Sequence, residues 1–170
     1  MDNEHNIIDI KRHPIDNLNE YAICCRSYLQ KNSILILKNF LTKEALLVLK
    51  QEAKWLQSKA YYCSQKHNVL LTKKNLLLDD NHPCNISLLS DKGCIPDDLV
   101  PLNSHLRTIY TSEKFQKFIQ FVLSKDKIYP YADNLSSINY NYYQRNQQLG
   151  WHFDNASFAI ILMIQSSTSG

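Results

Sequence analysis

The chain has 170 residues, of which 44% are apolar, 11% aromatic and 21% charged. That is ordinary globular composition at the length of one domain, and it excludes a disordered chain or a coiled coil. The net charge of +3 is spread along the chain as single basic residues and pairs, which argues against nucleic acid as a partner. The longest apolar run, FAIILMI, is too short to cross a bilayer, so no membrane is expected. The N-terminus MDNEHNIIDIKRH is not a signal peptide. Five cysteines form an odd set without a CxxC pair, as expected of a reduced, cytoplasmic protein whose cysteines serve as small apolar residues.

Residues 16–31 carry Leu18, Tyr21, Ala22, Cys25, Tyr28 and Leu29 at close to helical spacing. SILILK (33–38) reads as a short buried strand. Thr42 is a good N-cap for a helix in which Leu46, Leu49, Ala53 and Leu56 mark one face. From 60 to 104 the turn chemistry of DDNHP (79–83), Gly93, Pro96 and Pro101 predicts long loops with short ordered pieces. Ser112 caps a helix with Phe115, Phe118, Ile119 and Val122 inward.

After Lys127 the pattern changes to strands: IYPYA, SSINYNYYQ, GWHFD and FAIILMIQ, with RNQQ (145–148) as a turn. The last is apolar on both faces and should be central and covered. Helices first and strands last predict an α+β fold. We expect a single, incomplete domain over 1–170, with residues 1–126 as mainly helical support and loops, and 127–170 as the first core strands.

His152 and Asp154 stand two apart. On an extended strand both would lie on one face, with Phe153 in the opposite layer. An imidazole and a carboxylate are two of the three ligands of the facial triad that holds non-haem Fe(II). Taken alone the pair is a weak signal, and a surface strand end closing on an Asp154-Asn155 turn is the simpler account.

The surroundings are more specific. NYNYYQRNQQLGWHFD resembles the core of the 2-oxoglutarate/Fe(II)-dependent dioxygenases, where a strand bearing Asn-x-Tyr leads through a polar turn to His-x-Asp. Asn141 and Tyr143 stand eleven and nine residues before His152, at the spacing of the family's 2-oxoglutarate contacts. SILILKNFLTKEALLVLK, KHNVLL, IPDDLVPLNSHLRTIY and the run from YPYADNL to ILMIQ resemble, in order, the branch of amino-acid hydroxylases and free-amino-acid halogenases. The likeness covers roughly residues 33 to 170 and is most specific from Tyr129 onward.

The resemblance implies N-terminal helices packed on a partial double-stranded β-helix, jelly-roll or cupin-like, whose C-terminal strands are missing. It implies Fe(II) on His152 and Asp154, 2-oxoglutarate on Asn141 and Tyr143, and O2 as co-reactant. The intact protein would hydroxylate a small polar substrate such as a free amino acid. Halogenases of the branch carry glycine or alanine where this chain has Asp154, which favours hydroxylation. His67, Asn68 and Asn155 are candidate substrate contacts; Asn155 serves equally as a partner of Asp154 or the start of a turn.

The chain departs from the family in having no histidine after His152 and no arginine after Arg145. The third ligand and the arginine that pairs with 2-oxoglutarate are therefore missing, and His5, His13, His67, His82 and His105 all precede the core strands. A truncated or degenerate relative that binds without turnover is the alternative, and a nucleic-acid demethylase of the same superfamily is another. Trp151 and Phe153 are expected in the core, Arg145 in solvent, and Asp79, Asp80 and His82 in a turn rather than around a second metal.

Overall fold

The computed structural model describes residues 6–18, 20–131, 133 and 135–167. His5, Asn19, Ala132 and Gly170, which figure in the readings above, lie outside them. The architecture is α+β, with four α-helices and one three-stranded antiparallel sheet among the described residues. No helix among the described residues is long and apolar enough to cross a membrane. All five cysteines are free thiols, and Cys25 is the buried one. The chain divides into two compact units, Met1–Trp55 with Pro96–Asn139, and Leu56–Ile95 with Tyr140–Gly170.

The first unit is built on helices whose ends the sequence marks. Helix α1 spans Glu20–Asn32, with Glu20 in its first turn and Lys31 in its last, charges that suit the helix dipole, and it buries Ala22 and Cys25. Helix α2 spans Lys43–Leu56. The Thr42 hydroxyl accepts from the Ala45 amide at 3.2 Å, as an N-cap should. Ala45, Leu49 and Leu56 are buried while Leu46 and Ala53 are half-buried, so the inward stripe is turned slightly from the expected one.

Helix α3, His105–Thr111, was not foreseen; Ser104 caps it by accepting from the Leu106 amide. Helix α4 spans Glu113–Val122 and starts as read, with the Ser112 hydroxyl accepting from the Phe115 amide at 3.0 Å. Phe115, Phe118 and Val122 face inward, each burial stabilising by about 1.5–3 kcal/mol. Phe118 stacks on Tyr21 of α1 at 6.0 Å, and Phe115 packs against Phe40 at 5.7 Å. Buried His13 joins this core through the Tyr21 hydroxyl at 2.6 Å and the Lys38 carbonyl at 3.0 Å. The carbonyl can only accept, which puts the His13 proton on Nε2 and leaves Nδ1 to accept from the phenol.

Two readings in this unit are corrected. SILILK is not a strand: Ser33 ends α1 in a left-handed conformation (φ 59°), and Ile34 and Ile36 are exposed. No strand among the described residues pairs with it, so its β-favouring side chains have no sheet to pack into. IYPYA is likewise no strand over its described residues, and Tyr129 and Tyr131 are exposed.

The second unit carries the sheet. Strand β1 is Tyr61–His67, β2 is Leu88–Ile95 and β3 is Tyr140–Tyr142, in the order β1-β2-β3. Two of the three strands thus lie in the stretch read as irregular. Most of β1 is exposed on both faces, so no alternation of apolar and polar residues announces it. Ile95 and Tyr140 pair across β2 and β3 and are buried. Gly93 lets the strands close: a Cβ there would stand 2.7 Å from the Tyr62 ring.

GWHFD and FAIILMIQ form no strands over the described residues. Trp151 is 85% exposed and Phe153 69%, against the expectation of core packing. Ile160, Ile161 and Met163 are exposed too, so the run expected as a covered central strand is uncovered. GWHFD is tied to β2 and to the Val69 loop by single hydrogen bonds and not by a ladder, and the exposure of Trp151, Phe153, Ile160, Ile161 and Met163 shows that no packed layer among the described residues covers these side chains.

Candidate functional site

The register of the sheet decides which side chains meet. Cys94 pairs with Asn141 and with Tyr61, Lys92 with Cys63, Ser90 with Gln65, and Leu88 with His67. Residues directly opposite share a face, and alternate residues on one strand do so too. One face therefore carries His67, Ser90, Lys92, Cys94 and Asn141. The other carries Asp91, Gly93, Ile95, Tyr140 and Tyr142, with the last two rings 6.4 Å apart.

On the first face, Lys92 Nζ donates to Asn141 Oδ1 at 2.8 Å. Tyr143, just past the end of β3, has its phenol pushed up by burial and then by Cys94. The Cys94 thiol is itself pushed up by burial, against the pull of the Lys92 charge. Asn141 and Tyr143 are thus gathered with a cation on one side of the sheet.

The segment after the turn is laid along β2. The Gln147 N–H donates to the Gln144 carbonyl at 3.0 Å, Gln147 Oε1 accepts from the Gln144 amide at 2.7 Å, and Asn146 takes the left-handed position (φ 69°). Arg145 is exposed in this turn, as expected. Gln147 Nε2 donates to Asp91 Oδ1 at 2.9 Å, and the Asp91 amide donates to the Gln148 carbonyl at 2.7 Å. The Gly150 amide donates to Ser90 Oγ at 3.0 Å, and the Phe153 amide to the Val69 carbonyl at 2.8 Å.

His152 is held within this strap. Its Nδ1 donates to the Gly150 carbonyl at 2.8 Å, so Nε2 is the ring nitrogen left for another partner. Nε2 faces Asp154 Oδ1 at 3.4 Å. The His67 ring lies beside it, edge-on, with centroids 5.6 Å apart. Both His67 nitrogens are engaged, however. Nδ1 donates to the Asn68 carbonyl at 2.9 Å, and Nε2 accepts from the Ser90 hydroxyl at 2.6 Å.

Asn68 is buried and its carboxamide is committed to its own turn. Oδ1 accepts from the Leu70 and Thr72 amides and Nδ2 donates to the Thr72 carbonyl. The side chain shapes the loop that presents the Val69 carbonyl. Asn155 is exposed in a bend at 155–157.

Asp79, Asp80 and His82 are turn residues as read. Asp79 Oδ1 accepts from the Asn81 amide, Asp80 pairs with Lys74, and His82 Nδ1 accepts from the Cys84 amide. Among the described residues no three His, Cys, Asp or Glu side chains are placed to hold one metal ion. His152 and Asp154 are an imidazole and a carboxylate, donor types that could hold Fe(II), and among the described residues no third such group joins them.

Sequence reasoning missed Ser90, Lys92 and the Gln147–Asp91 tie. Each is an ordinary polar residue whose role exists only through the pairing of β2 with its neighbours. The lone glycine before Trp151 was the one visible signal, since a Cβ on Gly150 would stand 2.8 Å from the Leu89 carbonyl. No family model matches the chain, and no curated protein or solved structure is significantly similar to it.

Proposed function

We propose that this chain carries the His152 and Asp154 ligands of a 2-oxoglutarate- and Fe(II)-dependent oxygenase that hydroxylates a small polar substrate such as a free amino acid. In this reading the three strands belong to a double-stranded β-helix of the jelly-roll kind. One observation carries it. His152 Nε2 stands 3.4 Å from the Asp154 carboxylate, and with Nδ1 committed to the Gly150 carbonyl these two groups are placed so that a cation between them would be shared.

Iron bound there supplies the activation of O2, coupled to decarboxylation of 2-oxoglutarate. The residues of the chain hold and orient. The Gly150 carbonyl fixes the tautomer of His152. Asn141 and Tyr143 contact 2-oxoglutarate, and Lys92, 2.8 Å from Asn141, adds a positive charge to the face where that dianion would lie. His67, Asn68 and Asn155 are the candidate substrate contacts, His67 through its ring, since both of its nitrogens are engaged. Asp154 occupies the position that a halide would need, which favours hydroxylation.

Anaerobic addition of Fe(II) and then 2-oxoglutarate tests the reading. A weak visible charge-transfer band supports it, and its absence counts against it. His152→Ala should abolish iron binding, whereas Asp79→Ala should leave it intact.

The second reading is a relative that binds a ligand without turnover, favoured by the lack of a third ligand among the described residues. It predicts 2-oxoglutarate binding with no succinate formed under O2. Reading the gene beyond codon 170 for a distal histidine and a later arginine separates the two.

A further inference from the structure

We propose that Ser90 is a positioning residue for His152, a role that rests on His152 and Asp154 being iron ligands. Ser90 is buried in the middle of β2, and its hydroxyl is shared between two elements. It donates to His67 Nε2 at 2.6 Å and accepts from the Gly150 amide at 3.0 Å. The direction of both bonds follows from chemistry. The Asn68 carbonyl can only accept, so His67 carries its proton on Nδ1 and presents a bare Nε2 to the hydroxyl.

The chain of bonds continues across the Cα of Gly150 to its carbonyl, in the next peptide group, which accepts from His152 Nδ1 at 2.8 Å. Ser90 thereby fixes where Gly150 sits, Gly150 fixes which ring nitrogen of His152 keeps its proton, and Nε2 is left facing Asp154. The flanks of this short span are pinned separately, at Gln148 by the Asp91 amide and at Phe153 by the Val69 carbonyl. Ser90 is the tie between those pins. Hydrogen bonds to the far nitrogen of a ligand histidine orient the ring, and losing such an arrangement weakens metal binding by about 10- to 100-fold.

The test compares the full chain with Ser90→Ala and Ser90→Thr. Long-range 15N–1H NMR at pH 8 on the metal-free proteins reads the tautomer of His152. Wild type and Ser90→Thr should show the Nδ1-protonated form, and Ser90→Ala a mixture of both. The Kd for Fe(II), titrated anaerobically, should rise about tenfold or more in Ser90→Ala and recover in Ser90→Thr. An unchanged His152 tautomer in folded Ser90→Ala overturns the proposal.

If Ser90→Ala does not fold, hydrogen exchange in the wild type still decides: a Gly150 amide exchanging as fast as that of exposed Asn155 rules out the tie. If the tautomer shifts but the wild type binds no iron, the oxygenase reading fails, while the tie by which Ser90 orients the His152 ring stands. If iron binds equally to both proteins, the positioning role fails and the oxygenase reading stands.

Discussion

Gly150 lies against the backbone of Leu89 so closely that a methyl group on it would stand 2.8 Å from the Leu89 carbonyl oxygen. The same methyl would meet Leu88 Cβ at 3.1 Å and His67 Nε2 at 3.2 Å. No described glycine has a positive φ, so the constraint here is close approach and not backbone conformation. A carbonyl in a ladder cannot step aside as a flexible side chain can. Gly150→Ala should therefore cost about 1–3 kcal/mol in denaturant unfolding and lift the strap that carries His152. Unchanged stability together with unchanged iron affinity would show that the strap does not need this contact.

Asp97 and Arg107 tie the start of α3 to the turn before it. Arg107 Nη2 meets Asp97 Oδ1 at 2.6 Å, and the guanidinium also donates to the carbonyls of Asp97, Val100 and Pro101. Burial works to raise the Asp97 carboxyl, but the Ser137 hydroxyl and Arg107 outweigh it and hold the group below its ordinary value of 3.8. A lowered folded value means that the stabilisation is present in full above the ordinary, unfolded value and is lost as the pH falls from there through the folded one. Unfolding free energy measured from roughly pH 6 down to pH 3 should drop more steeply in the wild type than in Asp97→Asn. Arg107→Ala should cost about 3 kcal/mol near neutral pH, because it strands a buried carboxylate. Equal acid slopes in wild type and Asp97→Asn would remove this pair from the account.

Ser33 follows α1 with φ 59°, and its amide closes the helix by donating to the Leu29 carbonyl at 2.8 Å. Glycine is the usual residue at this left-handed position, since it has no Cβ to clash. Ser33→Gly should stabilise the protein by about 0.5–1 kcal/mol and raise its melting temperature. A lower melting temperature would mean that the serine side chain supports the turn in some other way.

Much of the helical part was legible because its signals are local. Thr42 and Ser112 sit one step before apolar stripes, and each accepts the amide expected of a cap. Ser33 was not legible: with three glycines in the chain, left-handed positions fall to residues that carry no such mark. Strands β1 and β2 were missed because β1 is exposed on both sides, so water rather than a core chose its residues. The pairing of His152 with Asp154 was legible as an i, i+2 spacing. Ser90 was not, since its partners stand 23 and 60 residues away in sequence.

The segment 158–163 gives the clearest conflict between pattern and structure. Read as a covered strand, it instead leaves Ile161 86% exposed, and a lone exposed side chain contributes little to folding. Ile161→Lys should therefore change stability by no more than about 0.5 kcal/mol while reducing self-association, because a short apolar run without charge favours strand pairing between chains. Light scattering against protein concentration reads the second effect, and denaturant unfolding the first. The same change at Ile95, which is fully buried beside Tyr140, should prevent folding, since an unpaired ammonium cannot be hydrated there. If Ile161→Lys instead destabilises by several kcal/mol, the run is packed against something in solution, and its covered-strand reading returns.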